Sequence, residues 1–134
     1  MQLSSAATYT MLPNCECGCL LNQSSGHVVA SSSTECPSVR RVWSVRVSDG
    51  LLIQLTFIRF DAQHGTVRVH DGNSSLSNLL VQLDAGTAEL PRPLTSAGNM
   101  LRVEYVLPPA DNSVNDGGFV AMFHALSRYY IGIG

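Results

Sequence analysis

The sequence predicts an all-β domain, an antiparallel β-sandwich or jelly roll. Residues 43–47, 100–106 and 119–125 alternate apolar and polar side chains, the period of a strand with one buried face. Residues 51–60 are apolar on one side and only half polar on the other, as expected of a strand in the middle of a sandwich or barrel. Turn residues separate these short stretches, and we find no convincing amphipathic helix, so a sandwich is favoured over a mixed fold.

The middle of the chain, residues 41–72, predicts three strands joined by short turns. The first strand is residues 43–47, and the Asp-Gly pair at 49–50 is a tight-turn signal that favours a hairpin. Residues 51–60 and 66–70 supply the second and third strands. We expect these three strands to be adjacent and antiparallel, forming the nucleus of the domain.

The segments before this nucleus carry weaker signals. Residues 1–14 show no period and predict a poorly ordered lead-in. Leu20-Leu21 and residues 27–30 predict two short strands around a Ser-Ser-Gly turn at 24–26. The sandwich domain is therefore expected to begin near residue 15.

After the nucleus, residues 79–83 predict a short strand, and residues 84–96 an irregular crossing that contains two prolines. Strands at 100–106 and 119–125 follow, separated by a Pro, Asp, Asn and Gly-rich loop. The sequence thus predicts a sandwich over 15–126, with 127–134 as a C-terminal tail or linker.

Composition limits the class of protein. A chain of 134 residues with 45% hydrophobic and 13% charged residues is typical of one globular domain. A formal charge of −2 argues against a nucleic-acid partner, because a protein that binds nucleic acid is expected to carry a basic stripe. No apolar run approaches the roughly 20 residues of a membrane-spanning helix, so this segment is not expected to insert into a membrane.

The cysteines predict an exported protein. Three of the four cysteines lie within residues 15–19, which is typical of secretory-pathway chemistry. Asn22 and Asn73 begin N-x-S sequons and are candidate glycosylation sites. The N-terminus lacks the pattern of a signal peptide, so we expect a fragment of a longer extracellular protein, secreted or part of a membrane-protein ectodomain.

Several motifs, in order and at similar spacing, resemble the CUB domain family, an extracellular jelly-roll sandwich. The resemblance covers roughly residues 17–125. It is carried by Cys-Gly at 17–18, Ser-Ser-Gly at 24–26, Trp43, IQLTFIRFD at 53–61, VHDG at 69–72, PRPLTSAGNMLRV at 91–103 and DNSVNDGGF at 111–119.

The resemblance implies a disulfide between Cys17 and Cys36, although pairing of Cys36 with Cys15 or Cys19 stays open. The remaining two cysteines are expected to pair with each other or with a preceding module. A zinc site is disfavoured, because C-x-C-x-C is poor spacing for tetrahedral ligation. The family's second disulfide is missing, since its two places are taken by His64-Gly65 and by residues 84–86.

Many CUB domains hold one calcium ion through three carboxylate-bearing places. Here those places are Gln63, Gly65 and Asp111, so two of the three acids are absent. Asp61 and Asp116 lie near in sequence and are the only candidates to compensate. We therefore expect no cofactor and no metal, with Asp111 and Asp61 as the residues to watch for calcium.

No catalytic motif occurs in the sequence, and His70-Asp71 cannot form a dyad because neighbours in a strand point to opposite faces. The sequence and the resemblance together predict a non-catalytic extracellular module that binds a protein ligand or neighbouring domains. The alternatives are a substrate-positioning domain of a secreted protease and a lectin-like domain. The loop residues expected at one end of the sandwich are Arg59, Asp61, His64, Asp111, Asn112 and Asp116.

Overall fold

The computed structural model describes residues 15–31, 36–108 and 117–127. Over these ranges the chain forms nine β-strands and no helix, so no described helix is long and apolar enough to cross a membrane. The strands are β1 Gly18–Leu21, β2 Ser25–Ala30, β3 Arg40–Arg46, β4 Leu51–Phe60, β5 Thr66–Asp71, β6 Asn78–Leu83, β7 Leu94–Thr95, β8 Met100–Val106 and β9 Phe119–Ser127.

The strands are arranged in two sheets. One has the order β1-β3-β8-β5-β6 and the other β2-β9-β4-β7. All neighbours are antiparallel except β1 and β3, which run parallel. Buried residues alternate along β3, β5 and β8, and the two buried faces share one hydrophobic core. This arrangement confirms the predicted all-β sandwich.

Phe119 is the residue where the two sheets meet. Its ring contacts Trp43 and Tyr105 of the five-stranded sheet edge-on, with centroids 5.8 and 5.5 Å apart, and Phe57 of its own sheet at 5.8 Å. Such aromatic pairs contribute about 0.5–1.5 kcal/mol each beyond the area they bury. Trp43 also donates its indole N–H to the buried carbonyl oxygen of Cys15 at 2.7 Å, so the N-terminal segment is fixed to the core.

The predicted three-strand antiparallel nucleus is wrong. β3 and β5 lie in the five-stranded sheet, whereas β4 lies between β9 and β7 in the other sheet. The turn at Gly50, whose φ is 86°, reverses the chain and carries it across the core. Val45 and Ile53 therefore lie in opposite layers of the sandwich instead of side by side in one sheet.

The other elements differ from expectation in detail. β1 and β2 both form, but in different sheets, and Ser25 and Gly26 of the expected turn are the first residues of β2. The irregular crossing over 84–96 contains the two-residue strand β7. β8 has the predicted bounds, and β9 continues to Ser127, two residues beyond the strand expected from the sequence. The predicted lead-in and residues 128–134 lie outside the described residues.

Candidate functional site

The loops gather at two ends of the sandwich, and each end is joined by hydrogen bonds between loops. At one end, the Asp61 N–H donates to the Gly118 carbonyl oxygen at 2.8 Å. At the other, the Val47 N–H donates to the Asn99 carbonyl oxygen at 3.0 Å. We name the Asp61 end by residues 61–65, 84–86 and 117–118, and the Ser96 end by residues 47–50, 72–77 and 96–99.

Two exposed side chains of opposite charge meet at the Asp61 end. Arg59 Nε lies 2.9 Å from Asp61 Oδ2, and the two side chains are 52% and 53% exposed. Solvent screens such a pair, so it adds little to the stability of the fold. The pair is consequently available for exchange with charges on another molecule.

The backbone under this pair is fixed by close approach of glycines. Gly117 and Gly118 have φ of 88° and 71°, where residues with a side chain are strained. A Cβ on Gly117 would overlap the Asp61 carbonyl oxygen, and one on Gly118 the Ala30 carbonyl oxygen. The chain entering β9 is thereby held against β2 and against the segment that follows β4.

Three of the six predicted binding residues, Arg59, Asp61 and His64, are exposed at or beside the Asp61 end. The other three, Asp111, Asn112 and Asp116, lie outside the described residues, so their gathering at this end stays a prediction. Gly117 and Gly118, which directly follow residue 116, lie next to Asp61.

The described residues do not assemble a metal site. Within 15–31, 36–108 and 117–127, no three His, Cys, Asp or Glu side chains converge as metal ligands. The Asp61 carboxylate is paired with Arg59, and the amide of Gln63 donates to the Asp61 carbonyl oxygen at 3.3 Å. A calcium ion bound by Asp61 would have to displace the guanidinium from that carboxylate.

The Ser96 end is tied together by side chains that bind the backbone. The Ser96 hydroxyl accepts the buried Ile53 N–H at 2.8 Å and donates to the Gly98 carbonyl oxygen. The Asn99 amide donates to the Val47 carbonyl oxygen at 3.0 Å. The Asp71 carboxylate accepts the N–H of the residue after Ser96 at 3.0 and 3.1 Å. These motif residues therefore connect loops within the fold, a role that sequence analysis did not assign.

The predicted sequons also belong to the Ser96 end. Asn22 follows β1 and Asn73 follows β5, and both asparagines are exposed. Both are consequently accessible as candidate glycosylation sites.

The structure contains two disulfides, and a hydrogen bond lies beside the places of the family's second disulfide. Cys17 is bonded to Cys36 and Cys15 to Cys19. Closing the Cys17–Cys36 loop is worth on the order of 3 kcal/mol. Beside the places where the family has its second disulfide, the Thr66 hydroxyl instead donates to the Asp84 carboxylate at 3.1 Å. A hydrogen bond thus joins the start of β5 to the end of β6.

His70 and Asp71 do not form a catalytic pair. His70 Nδ1 lies 3.0 Å from the carbonyl oxygen of Ser77, and the ring is buried. The Asp71 carboxylate is directed instead to the Ala97 N–H. Both side chains therefore hold loops in place, which agrees with the expectation from strand geometry.

The outer face of the five-stranded sheet carries a charge cluster that sequence analysis missed. Glu104, whose side chain is only 4% exposed, lies 2.9 Å from Arg40, 3.2 Å from Arg102 and 3.6 Å from Arg68. The four residues come from three strands, so only the register between strands brings them together.

Known proteins show the same fold and related sequences. A family model for the CUB domain matches residues 17–123. Human Tolloid-like protein 2 is 29% identical to the chain over 115 residues, which cover 80% of the chain. The chain spans only 11% of that relative's length.

Two solved structures are similar to the chain in fold. The full extracellular region of zebrafish Gpr126/Adgrg6 superposes with a TM-score of 0.64 at 23% identity, covering 84% of this chain and 15% of that one. The CUB1-EGF-CUB2 domain of human MASP-1/3 superposes with a TM-score of 0.61 at 19% identity, covering 78% of this chain and 42% of that one.

Proposed function

The chain belongs to the CUB domain family, and from that membership we propose that it is a non-catalytic extracellular module that binds a protein partner through the loops of the Asp61 end. It acts as one domain of a larger secreted or cell-surface protein. The observation that carries this proposal is the half-exposed Arg59–Asp61 pair on a backbone fixed by two glycines.

A rigid backbone with exposed charges suits protein recognition. Loops on a β-sandwich carry binding residues because the strands hold them in place while their side chains stay in contact with water. The close approach of Gly118 to Ala30 limits movement of the segment beneath the pair. Little ordering free energy is then lost when a partner docks on these loops.

The chemistry of the pair indicates the kind of partner. Arg59 can turn to a partner carboxylate and Asp61 to a partner arginine or lysine, because the exposed pair is weak within the chain. Such rim charges set the association rate and the choice of partner more than the total affinity. We therefore expect a partner surface with both signs of charge, captured without a metal ion.

The second candidate function is an accessory domain that positions substrate for a secreted protease, as the resemblance implies. The CECGC segment at 15–19 favours an EGF-like module as the preceding neighbour, and the human MASP-1/3 structure has CUB domains on either side of an EGF module. A lectin-like role is a third and lesser candidate. The coding sequence upstream distinguishes the first two candidates. Cysteine-rich repeats there would favour the interaction module, and a protease domain would favour the accessory domain.

Binding to an array of purified secreted proteins and receptor ectodomains tests the proposal. We compare the unmodified chain with Arg59→Ala and Asp61→Ala, and with Arg92→Ala as the control at an exposed arginine in the crossing between β6 and β7. We expect a protein ligand whose affinity falls about tenfold, the equivalent of about 1.4 kcal/mol, in the first two variants only. Undiminished binding by Arg59→Ala and Asp61→Ala would show that the ligand docks elsewhere.

A further inference from the structure

The outer face of the five-stranded sheet carries half of the arginines of the chain. All eight cationic residues of the sequence are arginines, and five of them belong to β3, β5 and β8. Arg41 is buried, with an exposure of 3%, and the other four are Arg40, Arg46, Arg68 and Arg102. Residues next to them in these strands, such as Val45, Val67 and Val103, face the core. The four arginines therefore project from the outer face, and we call them the arginine track.

The register of the sheet distributes the arginines at regular steps along the strands, over the width of three strands. Arg40 is opposite Val106, Arg68 is opposite Glu104, Arg102 is opposite Ser44, and Arg46 is opposite Met100. Each arginine thus occupies a successive row of side chains along the strands. Since a strand rises about 3.3 Å per residue, the track from Arg40 to Arg46 is about 20 Å long.

Glu104 holds the central part of the track in place. Its buried carboxylate binds Arg40 and Arg102 through Oε2 and is 3.6 Å from Arg68 through Oε1. Arg68 is held further by a 3.0 Å hydrogen bond from Nε to the side chain of Gln82. The side chains of Arg40 and Arg68 are nevertheless 55% and 38% exposed, so they are oriented by Glu104 and still reach solvent.

The charge of the face is opposite to the charge of the whole chain. Four arginines against the one carboxylate of Glu104 give the track a net charge of +3, whereas the chain carries −2. Asp84, at the margin of the sheet, is hydrogen-bonded to Thr66 and Gln82. The basic character is therefore local to this face and is not a property of the chain as a whole.

We propose that the arginine track binds a linear sulfated polysaccharide of the heparin type. Guanidinium groups match the oxygens of sulfate through paired N–H donors, and a row of them about 20 Å long fits an extended polyanion. The middle of the face carries Ser44, Arg102 and Glu104, with Val42 opposite Glu104, and has none of the aromatic side chains that are enriched in stable protein interfaces. This surface is separate from the loops of the Asp61 end, so the inference goes beyond the proposed function.

Heparin affinity at several salt concentrations tests this inference. The 134-residue chain is measured against immobilised heparin as the unmodified protein, as Arg40→Ala, Arg46→Ala and Arg68→Ala, and as the triple variant. Arg92→Ala, at an exposed arginine outside the track, is the matched control, and a thermal melt of every variant checks the fold. Arg102, which is only 17% exposed, is left unchanged to keep the sheet intact.

The unmodified chain should bind heparin despite its negative net charge, and chemically desulfated heparin should bind far less. We expect about a two- to fivefold loss of affinity for each track arginine removed. The dependence of log affinity on log salt should become shallower by about one unit per arginine. The Arg92→Ala control should bind like the unmodified chain.

Three results would overturn the proposal. One is equal binding to sulfated and desulfated heparin, and another is full binding by a triple variant that melts normally. The third is displacement by polyglutamate as effective as displacement by heparin, which would identify an acidic protein segment as the partner. None of these outcomes bears on the Asp61 end, because Arg59 and Asp61 are tested separately.

Discussion

The two ends of this sandwich consist of the same kind of element, loops between strands, but are held in opposite ways. At the Ser96 end, polar side chains turn inward and bind the backbone of neighbouring segments. At the Asp61 end, glycines bring backbones together, and the Arg59 and Asp61 side chains remain at the surface, beside the side-chain bonds made by Gln63 and Asp84. A side chain that holds a loop is not available for recognition, and for this reason we place the proposed binding site at the Asp61 end.

The comparison also explains which residues carry the family resemblance. Asp71, Ser96 and Asn99 match family motifs, and all three connect loops within the fold. Gln63 and Gly65, by contrast, replace acids in the family's calcium pattern at the Asp61 end. The Asp61 end keeps Asp61 and Gly118 of the family motifs and departs from the family at the two missing acids of the calcium pattern.

Gly118→Ala should cause the largest loss, because it breaks the Asp61 end at its backbone. The left-handed φ costs an alanine about 1–2 kcal/mol, and forcing its Cβ against Ala30 costs about 1–3 kcal/mol more. We expect urea denaturation to show a loss of about 3 kcal/mol or more in the free energy of unfolding.

Gly50→Ala is the matched control for Gly118→Ala. Gly50 also has a positive φ, 86°, but nothing lies within 4 Å of the position of its Cβ. Gly50→Ala should therefore lose only the cost of the left-handed backbone, about 1–2 kcal/mol in the free energy of unfolding. Equal losses in the two variants would mean that the contact with Ala30 is unimportant.

Ser96→Ala should cause an intermediate loss at the other end. Removing the hydroxyl leaves the buried Ile53 N–H without its acceptor, at a cost of about 1–3 kcal/mol. Thr95→Ala, at the exposed neighbouring residue, should change the free energy of unfolding by less than about 0.5 kcal/mol. If the two variants unfold at the same urea concentration, the Ser96 end is not held by this side chain.

Calcium should leave the melting temperature of the chain unchanged. Anything that binds only the folded state raises its stability, by about 2.7 kcal/mol at a hundred times the dissociation constant. We expect thermal melts in millimolar calcium and in chelator to coincide, both for the unmodified chain and for Arg59→Ala, in which Asp61 is released from its partner. A rise of several degrees in calcium would instead identify a site centred on Asp111 with Asp61 or Asp116.

The sequence was informative wherever the signal is local. Alternation along one strand was enough to place β8 at Met100–Val106 and to identify Phe119, Ala121 and Phe123 as buried. Both follow from which face of a pleated strand meets the core, and that choice is made within a few residues.

What the sequence did not reveal depends on partners that are far apart in the chain. The Asp-Gly turn before β4 specifies a reversal, but whether the chain then pairs or crosses the core depends on β8 and β9. The arginine track needs the register of three strands, and Arg40 and Glu104 are 64 residues apart. No local pattern in the sequence contains that information.

The position of β9 in the second sheet has a consequence for biosynthesis. β9 follows every other strand in the chain, yet it lies between β2 and β4 and supplies Phe119 to the core. As the chain is translated from its N-terminus, β2 and β4 have no partner between them until residues 119–127 emerge. During that interval both strands present an unpaired edge, which is open to pairing with other nascent chains. Closure of the sandwich therefore waits until residues 119–127 have been synthesised.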